Sequence, residues 1–387
     1  MDTLPQRRWS PFLFAGRIRR FRGIHFVWLT VIAVLFFAVT FFFERAYAQR
    51  QQQMSVDWFE RGQQALSQGQ AKDAVADLRT ALIYSHQNQE YLFALGRALE
   101  ADHRIPEARA YFLSLLDQQP GSGPVNLELA HLEANRGDVN RAMRYFNAAV
   151  YGAWESDPVA QREQVRKEFI SFLTDKGLTT QARGELLTLS AEMTKSPQSD
   201  LWLAQAFGRL GDDRNALGFY DASLRVDRRN PDALFGAGQA AFRLEQYRQA
   251  LRYFRRAAAI RDDANTQRML QLTSMVLDMN PFESALSVKQ RKDRLVLSMD
   301  VADRRLRQCE QGQHPPLNAA QTAAVQTERT QWMQLDRQLR QTRTDASLWL
   351  GPITQLINSV EQQTACGPFT DTDKAVQLIY ENAELQP

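Results

Sequence analysis

Hydrophobic positions along the chain fall into distinct regimes. Residues 24–43, IHFVWLTVIAVLFFAVTFFF, form one unbroken apolar run of 20 residues. A helix rises about 1.5 Å per residue, so a run of that length matches a bilayer core of about 30 Å. Residues 44–54, ERAYAQRQQQM, are a polar connector that reads as helical and continuous with the run. Beyond Ser55 the pattern becomes periodic. Small residues stand at Gly62, Gly96 and Ala130, spaced by 34; after a step of 40 comes Ile170, then Ala204 and Gly238, again 34 apart. Twelve positions after each lies an alanine: Ala74, Ala108, Ala142, Ala182, Ala216 and Ala250. Four further on is a bulky residue, at Leu78, Phe112, Phe146, Leu186, Tyr220 and Phe254. Three more bring Ala81, Leu115, Ala149, Leu189, Ser223 and Ala257.

Two helices of about fourteen residues and two short turns fill such a period, which is one antiparallel hairpin. Small side chains on both helices let the backbones approach where they cross. The bulky residue one turn later fills the space between hairpins. One hairpin cannot cover its own apolar face, so each needs neighbours stacked on it. Strand-favouring runs are scarce while Ala, Leu, Gln, Arg and Glu dominate, which also points to an all-α chain.

The block Trp58, Gly62, Ala74, Leu78 and Ala81 resembles the tetratricopeptide repeat (TPR). So do Leu95, Gly96, Leu99, Ala108, Phe112 and Pro120 in a second copy, and Leu129, Ala130, Gly137, Ala142, Phe146 and Ala149 in a third. Gly238, Ala250, Phe254 and Ala257 carry it in the sixth. The resemblance covers about residues 55–264. It implies an all-α fold, a TPR α-solenoid of about six hairpins; the apolar run adds an N-terminal transmembrane helix before it, and the residues after it read as a helical tail. Repeat four departs from the pattern at Ile170, where a wider helix crossing is expected. The six extra residues near Trp154 to Arg162 predict a longer loop that bends the array.

The expected organisation is a basic segment (1–23), a transmembrane helix (24–43), the connector (44–54), a TPR array with a capping helix (55–279) and a helical C-terminal domain (280–387). In that last region the sequence predicts helices over Ser284–Gln311, Asn318–Arg343, Leu348–Thr364 and Asp371–Ala383, with a break at Gly312–Leu317.

Charge refines the membrane reading. Arg7, Arg8, Arg17, Arg19, Arg20 and Arg22 precede the apolar run, opposed only by Asp2. That bias keeps the N-terminus cytoplasmic and the repeats on the far, extracytoplasmic (periplasmic) side of an inner membrane. Ala46-Tyr47-Ala48 resembles a cleavage site, but the run is longer than a signal h-region and Glu44 and Arg45 intervene. Outside the cytoplasm Cys309 and Cys366 can form a disulfide. It would close a loop of nearly sixty residues and stabilise the tail by about 4 kcal/mol. Two unlinked thiols are the other reading. The net charge of +3 does not suggest nucleic acid.

Candidate chemistry is sparse. The five histidines show no metal-ligand spacing, and the chain has no C-x-x-C, Walker A or G-x-S-x-G motif. Asp212-Asp213 and Asp262-Asp263 read as helix caps rather than acid–base pairs. No cofactor or metal and no enzymatic activity is expected. The resemblance instead implies a peptide groove on the first helix of each hairpin. Its positions are Phe59 and Gln63; Phe93, Arg97 and Glu100; Leu127, His131 and Asn135; Lys167, Ser171 and Asp175; Gln205 and Arg209; and Phe235, Gln239, Phe242 and Arg243. Core packing competes with ligand contact for Phe93 and Phe235. Arg97, His131 and Asn135 depart from the family's carboxylate clamp, so a C-terminal chaperone tail is not the expected ligand. The function expected is a membrane-anchored scaffold or adaptor for a protein or peptide partner. The alternatives are a secreted TPR protein after signal cleavage, or an enzyme subunit with a site in the tail.

Overall fold

The computed structural model describes residues 15–311, 318–342, 346–363 and 368–381. Among these the fold is all-α; the one β feature is an isolated parallel bridge between Ser122 and Ala153. The chain divides into two compact units, residues 1–169 and 170–387.

In the first unit α1 (Ala15–Ser67) is a single helix of 53 residues. It merges the apolar run, the polar connector and the first helix of the first hairpin. Its N-terminal part is long and apolar enough to cross a membrane and none of that stretch is buried. Phe36, Phe37, Phe42 and Phe43 stand exposed. Further along, the same helix turns apolar on one side, where Phe59 and Ala65 are buried. The hairpins follow as α1 with α2 (Ala71–Tyr84), α3 (Gln89–Ala101) with α4 (Ile105–Gln118), and α5 (Gly123–Asn135) with α6 (Val139–Val150).

The periodic small residues do what the spacing requires. A Cβ at Gly62 would sit 2.6 Å from Leu78 Cγ, and one at Gly96 would sit 2.6 Å from the Phe112 ring. In the second unit, a Cβ at Gly238 would meet Phe254 at the same 2.6 Å. Ala74, Ala108 and Ala142 on the second helices are wholly buried. Buried Glu133 on α5 is held by Arg109 of α4 at 2.6 Å, which ties the second hairpin to the third.

The turn inside each hairpin repeats as well. Gly69, Gly137, Gly177 and Gly211 take positive φ, and the corresponding positions in hairpins two and six are His103 and Glu245, with φ of 60° and 61°. The left-handed conformation costs a side-chain-bearing residue about 1–2 kcal/mol, which explains the glycine preference at this register.

The connector before the fourth hairpin is shorter than expected. α7 (Pro158–Asp175) starts at Pro158, so residues 158–162 are helix rather than loop. Proline is well suited to the first helical turn, which accounts for the early start. Residues 151–157 form the remaining loop. There the Gly123 amide donates to the Ala153 carbonyl at 2.9 Å, and Trp154 lies where a Cβ on Gly123 would be.

In the second unit α8 (Thr179–Glu192) is followed by α9 (Pro197–Arg209) with α10 (Asp213–Val226), α11 (Pro231–Arg243) with α12 (Tyr247–Ala258), and the single helix α13 (Ala264–Met279). Asp212 and Asp263 cap α10 and α13 through their side chains, as the sequence predicts. The tail adds α14 (Val288–Glu310), α15 (Ala319–Gln341), a 3₁₀ turn at Ala346–Trp349, α16 (Leu350–Gln363) and α17 (Asp371–Glu381). α14 begins four residues later than expected, because Ser287 and Gln290 form a capping box there. Arg291 and Arg294 donate to the carbonyls of Pro281 and Asn280 and hold the preceding turn. One apolar cluster runs from Ile170 through Val276 to Tyr380, so α13 shares its core with the tail. Buried Asp373 of α17 accepts from Arg304 of α14 at 2.8 Å. Cys309 is buried on α14; Cys366 and the expected break at Gly312–Leu317 lie outside the described residues.

The close crossings are testable. Gly96→Val should destabilise the protein by about 2 kcal/mol, through overpacking against Phe112. Gly184→Ala, in a helix with nothing within 4 Å of the new Cβ, should stabilise it by about 0.5–1 kcal/mol. Urea denaturation followed by circular dichroism measures both. Equal effects at the two sites would contradict the packing account.

Candidate functional site

The groove positions implied by the repeat resemblance lie on first helices, and the structure treats them unequally. In the first unit Phe59 is buried and stacks on Tyr91 with ring centroids 4.3 Å apart. Phe93 packs against Phe112 at 5.6 Å and is partly buried. These rings belong to the hairpin core more than to a surface. Gln63 and Asn135 are exposed, and Leu127 packs beside Ala149 and Val165.

The charged positions do assemble. α3, α5 and α7 present Arg97 and Glu100, Glu128 and His131, and Glu168 in one strip within the first unit. Arg97 Nε lies 3.4 Å from Glu128 Oε1. His131 Nε2 reaches Glu168 at 3.2 Å, and its Nδ1 lies 4.0 Å from Glu128. Lys167 donates to Glu163 at 2.6 Å one turn back on α7. The imidazole also sits edge-on to Phe146 at 5.7 Å.

The electrostatics of the strip are dominated by acid. Burial raises the Glu128 carboxyl above its ordinary value; Arg97 and His131 counter this, while Glu100 and Glu168 reinforce it. Burial likewise raises Glu100, against the pull of His131 and Arg97. The bond to Glu168 is the main cause that lifts the His131 pKa, with Glu128 and Glu100 adding to it and burial opposing it. Glu168 is lowered by the same bond. Partly desolvated carboxylates therefore face one arginine and one imidazole.

Glu128 and Glu168 were not among the expected groove residues. Glu128 precedes His131 by one helical turn, a sequence signal for an i, i+3 pair. Glu168 is 37 positions beyond His131 and belongs to another hairpin, so only the fold brings them together.

In the second unit the expected residues are less gathered. Arg243 makes a bidentate pair with Asp213, Nε to Oδ1 at 2.8 Å and Nη2 to Oδ1 at 2.6 Å, with Nε to Oδ2 at 2.9 Å. It thereby links α11 to α10. Phe242 is buried against Tyr247, and Phe235 packs on Phe254 at 5.8 Å. Gln205, Arg209, Ser171 and Asp175 are exposed, and Gln239 is half-buried. A separate cleft of about 630 Å³ in the first unit is lined by Pro120, Pro124, Trp154 and Gln161 among others. There the Trp154 indole N–H donates to the Ala149 carbonyl at 3.0 Å. Among the described residues no group of His, Cys, Asp and Glu is arranged to hold a metal.

The His131–Glu168 pair has a pH signature. His131 titrates above its ordinary value, so its stabilisation is complete below about pH 6.5 and is lost as pH rises through the raised value. Glu168 titrates below its ordinary value, so its share is lost only in acid, as pH falls through that lowered value. The Tm difference between the protein and His131→Gln should therefore be largest near pH 6 and shrink toward pH 9. Both groups are more than a third exposed, so the pH-dependent part should be about 0.5–1 kcal/mol. A difference that grows with pH would contradict the pairing.

The tetratricopeptide-repeat family model matches residues 59–123 and 201–265. No curated protein matches the sequence. Among solved structures, Pseudomonas aeruginosa PilF is similar at 15% identity over 57% of this chain and 98% of its own, with a TM-score of 0.40. PilW, described as a widely conserved type IV pilus biogenesis factor, matches at 18% over 57% of this chain and 97% of its own, with a TM-score of 0.39. The C-terminal part of a TPR repeat-containing protein from Cytophaga hutchinsonii matches at 11% over 61% and 92%, with a TM-score of 0.44. At these values the structures carry no functional information. The repeat match and the spacing of the close crossings agree, and residues 59–123 and 201–265 are tetratricopeptide repeats.

Proposed function

We propose that this protein is a membrane-anchored scaffold that binds a protein segment on the faces of its first helices. The observation that carries the reading is the strip of Arg97, Glu100, Glu128, His131 and Glu168. Nothing in it resembles a catalytic constellation. It offers half-buried, under-neutralised carboxylates along three neighbouring helices, which suits a partner segment bearing Lys or Arg. A partner cation placed among Glu100, Glu128 and Glu168 would offset, by charge attraction, the burial that raises the first two. The repeat family supports a protein ligand over a small molecule.

The apolar part of α1 is the anchor in this reading. It continues without a break into the first hairpin, so the repeats start close to the bilayer surface. The arginine cluster before it supports an orientation with the N-terminus in the cytoplasm and the repeats outside. An alkaline phosphatase reporter fused after Pro387 should be active in intact cells. An inactive phosphatase together with a fluorescent cytoplasmic reporter at the same site would overturn the orientation.

The binding face is tested with a photo-crosslinking amino acid placed at Gln63 or Asn135, both exposed near the strip. A discrete adduct should form in cells and should weaken at least about tenfold when Glu100→Lys and Glu128→Lys are combined. The same probe at Ala110, on the exposed side of α4, should give none. Adducts from Ala110 alone, or adducts indifferent to the charge reversal, would show that partners bind elsewhere.

A further inference from the structure

A dense run of positive charge lies in the second unit, in the sixth hairpin and the turn before it. Residues 225–261 contain nine arginines and no lysine against Asp227, Asp232 and Glu245, a net of +6 in a chain whose net charge is +3. Some of these arginines are committed. Arg243 pairs with Asp213, Arg248 with Glu283 at 3.1 Å, and Arg261 with Asp232 at 2.8 Å. The others are Arg225 on the last turn of α10, Arg228 and Arg229 in the α10–α11 turn, and Arg252, Arg255 and Arg256 on α12. All six are exposed.

Packing makes these residues one surface. The Arg256 guanidinium donates to the Arg228 carbonyl at 2.9 Å, and Tyr253 donates to Asp221, one turn before Arg225. Both bonds clamp α12 alongside α10. Arg252, Arg255 and Arg256 occupy the solvent side of α12, whose opposite side buries Ala250, Tyr253, Phe254 and Ala257. Asp227 is the acid nearest in sequence, and its oxygens accept from the Arg229 amide and the Asn230 side chain. Among the described residues no carboxylate pairs with the side chains of Arg225, Arg228, Arg229, Arg252 or Arg255. Val226, 72% exposed, projects between Arg225 and Asp227, and Ile260 is also exposed.

We infer that this arginine surface docks on an anionic phospholipid bilayer. Arginine matches phosphate with paired donors and is more weakly hydrated than lysine, so an all-arginine patch favours phosphodiester headgroups. Exposed Val226 and Ile260 amid the charge suit the headgroup–acyl boundary, where an apolar side chain is stabilised by burial. A surface for single-stranded nucleic acid of similar charge would offer exposed aromatic rings for base stacking. This patch has none, since Tyr253 and Phe254 are buried. The apolar α1 already places the chain at a membrane by the reading above. The new surface is independent of α1 and of the acidic strip, and adds a second, peripheral contact to lipid.

The test uses the full-length protein in nanodiscs of phosphatidylcholine, so that α1 is satisfied. It is mixed with large vesicles of phosphatidylcholine alone or with phosphatidylglycerol, and bound protein is measured by sedimentation. Binding is expected to the phosphatidylglycerol vesicles only, and to be lost at high salt. A variant with Arg225, Arg252 and Arg255 all changed to Gln, its helicity checked by circular dichroism, should lower the bound fraction roughly tenfold or more, since each arginine contributes measurably at an anionic surface. Val226→Asp should weaken binding further without removing a positive charge. Equal binding to both vesicle types, or undiminished binding by the arginine variant, would overturn the inference. So would binding of a double-stranded DNA fragment or of polyglutamate by the patch when anionic vesicles are not bound.

Discussion

Close approach of helix backbones inside each hairpin is the constraint on which the rest of this structure depends. Gly62, Gly96 and Gly238 face Leu78, Phe112 and Phe254 at distances that leave no room for a methyl group. That contact sets the separation of the two helices, and the separation sets where the next hairpin can stack. Interiors are close-packed, so a side chain added at such a crossing must displace a ring or a backbone. Position 170 shows a variation on the rule: isoleucine is accommodated there, buried in a cluster with Leu186.

The crossing also decides what the surface can display. With the small residues turned inward, the remaining side of α3, α5 and α7 carries Arg97, Glu100, Glu128, His131 and Glu168 side by side. The same geometry turns the apolar side of α12 inward and leaves its arginines outward. One repeat architecture thus yields an acidic strip in one unit and a basic surface in the other. The aromatic residues at groove register, Phe59 and Phe242 above all, are drawn into packing. In the proposed function, binding at those faces therefore rests on charge and on long polar side chains more than on aromatic anchors.

Much of the fold was legible because the repeat leaves small residues at fixed intervals, and small residues have few other reasons to recur in that way. The apolar run of α1 and the caps at Asp212 and Asp263 were legible for equally local reasons. The turn register of Gly69, Gly137, Gly177 and Gly211 was harder to see, since His103 and Glu245 interrupt it. The start of α7 at Pro158 was missed because an insertion can lengthen a helix as easily as a loop. At the candidate site, Arg97, Glu100 and His131 could be placed from register alone. Their partners Glu128 and Glu168 could not, because surface charges tolerate many positions and pair only once the hairpins are stacked. Arg243 looked like a groove cation, yet Asp213, thirty residues earlier, takes it up.

Residues 55–258 form hairpins whose turns recur in register with their crossings. Amide hydrogen exchange on the intact protein in nanodiscs tests it most directly. The account predicts protected helices interrupted by fast-exchanging turns at residues 69, 103, 137, 177, 211 and 245. Fast exchange throughout α3 to α6, or protection that runs through those turns, would contradict it.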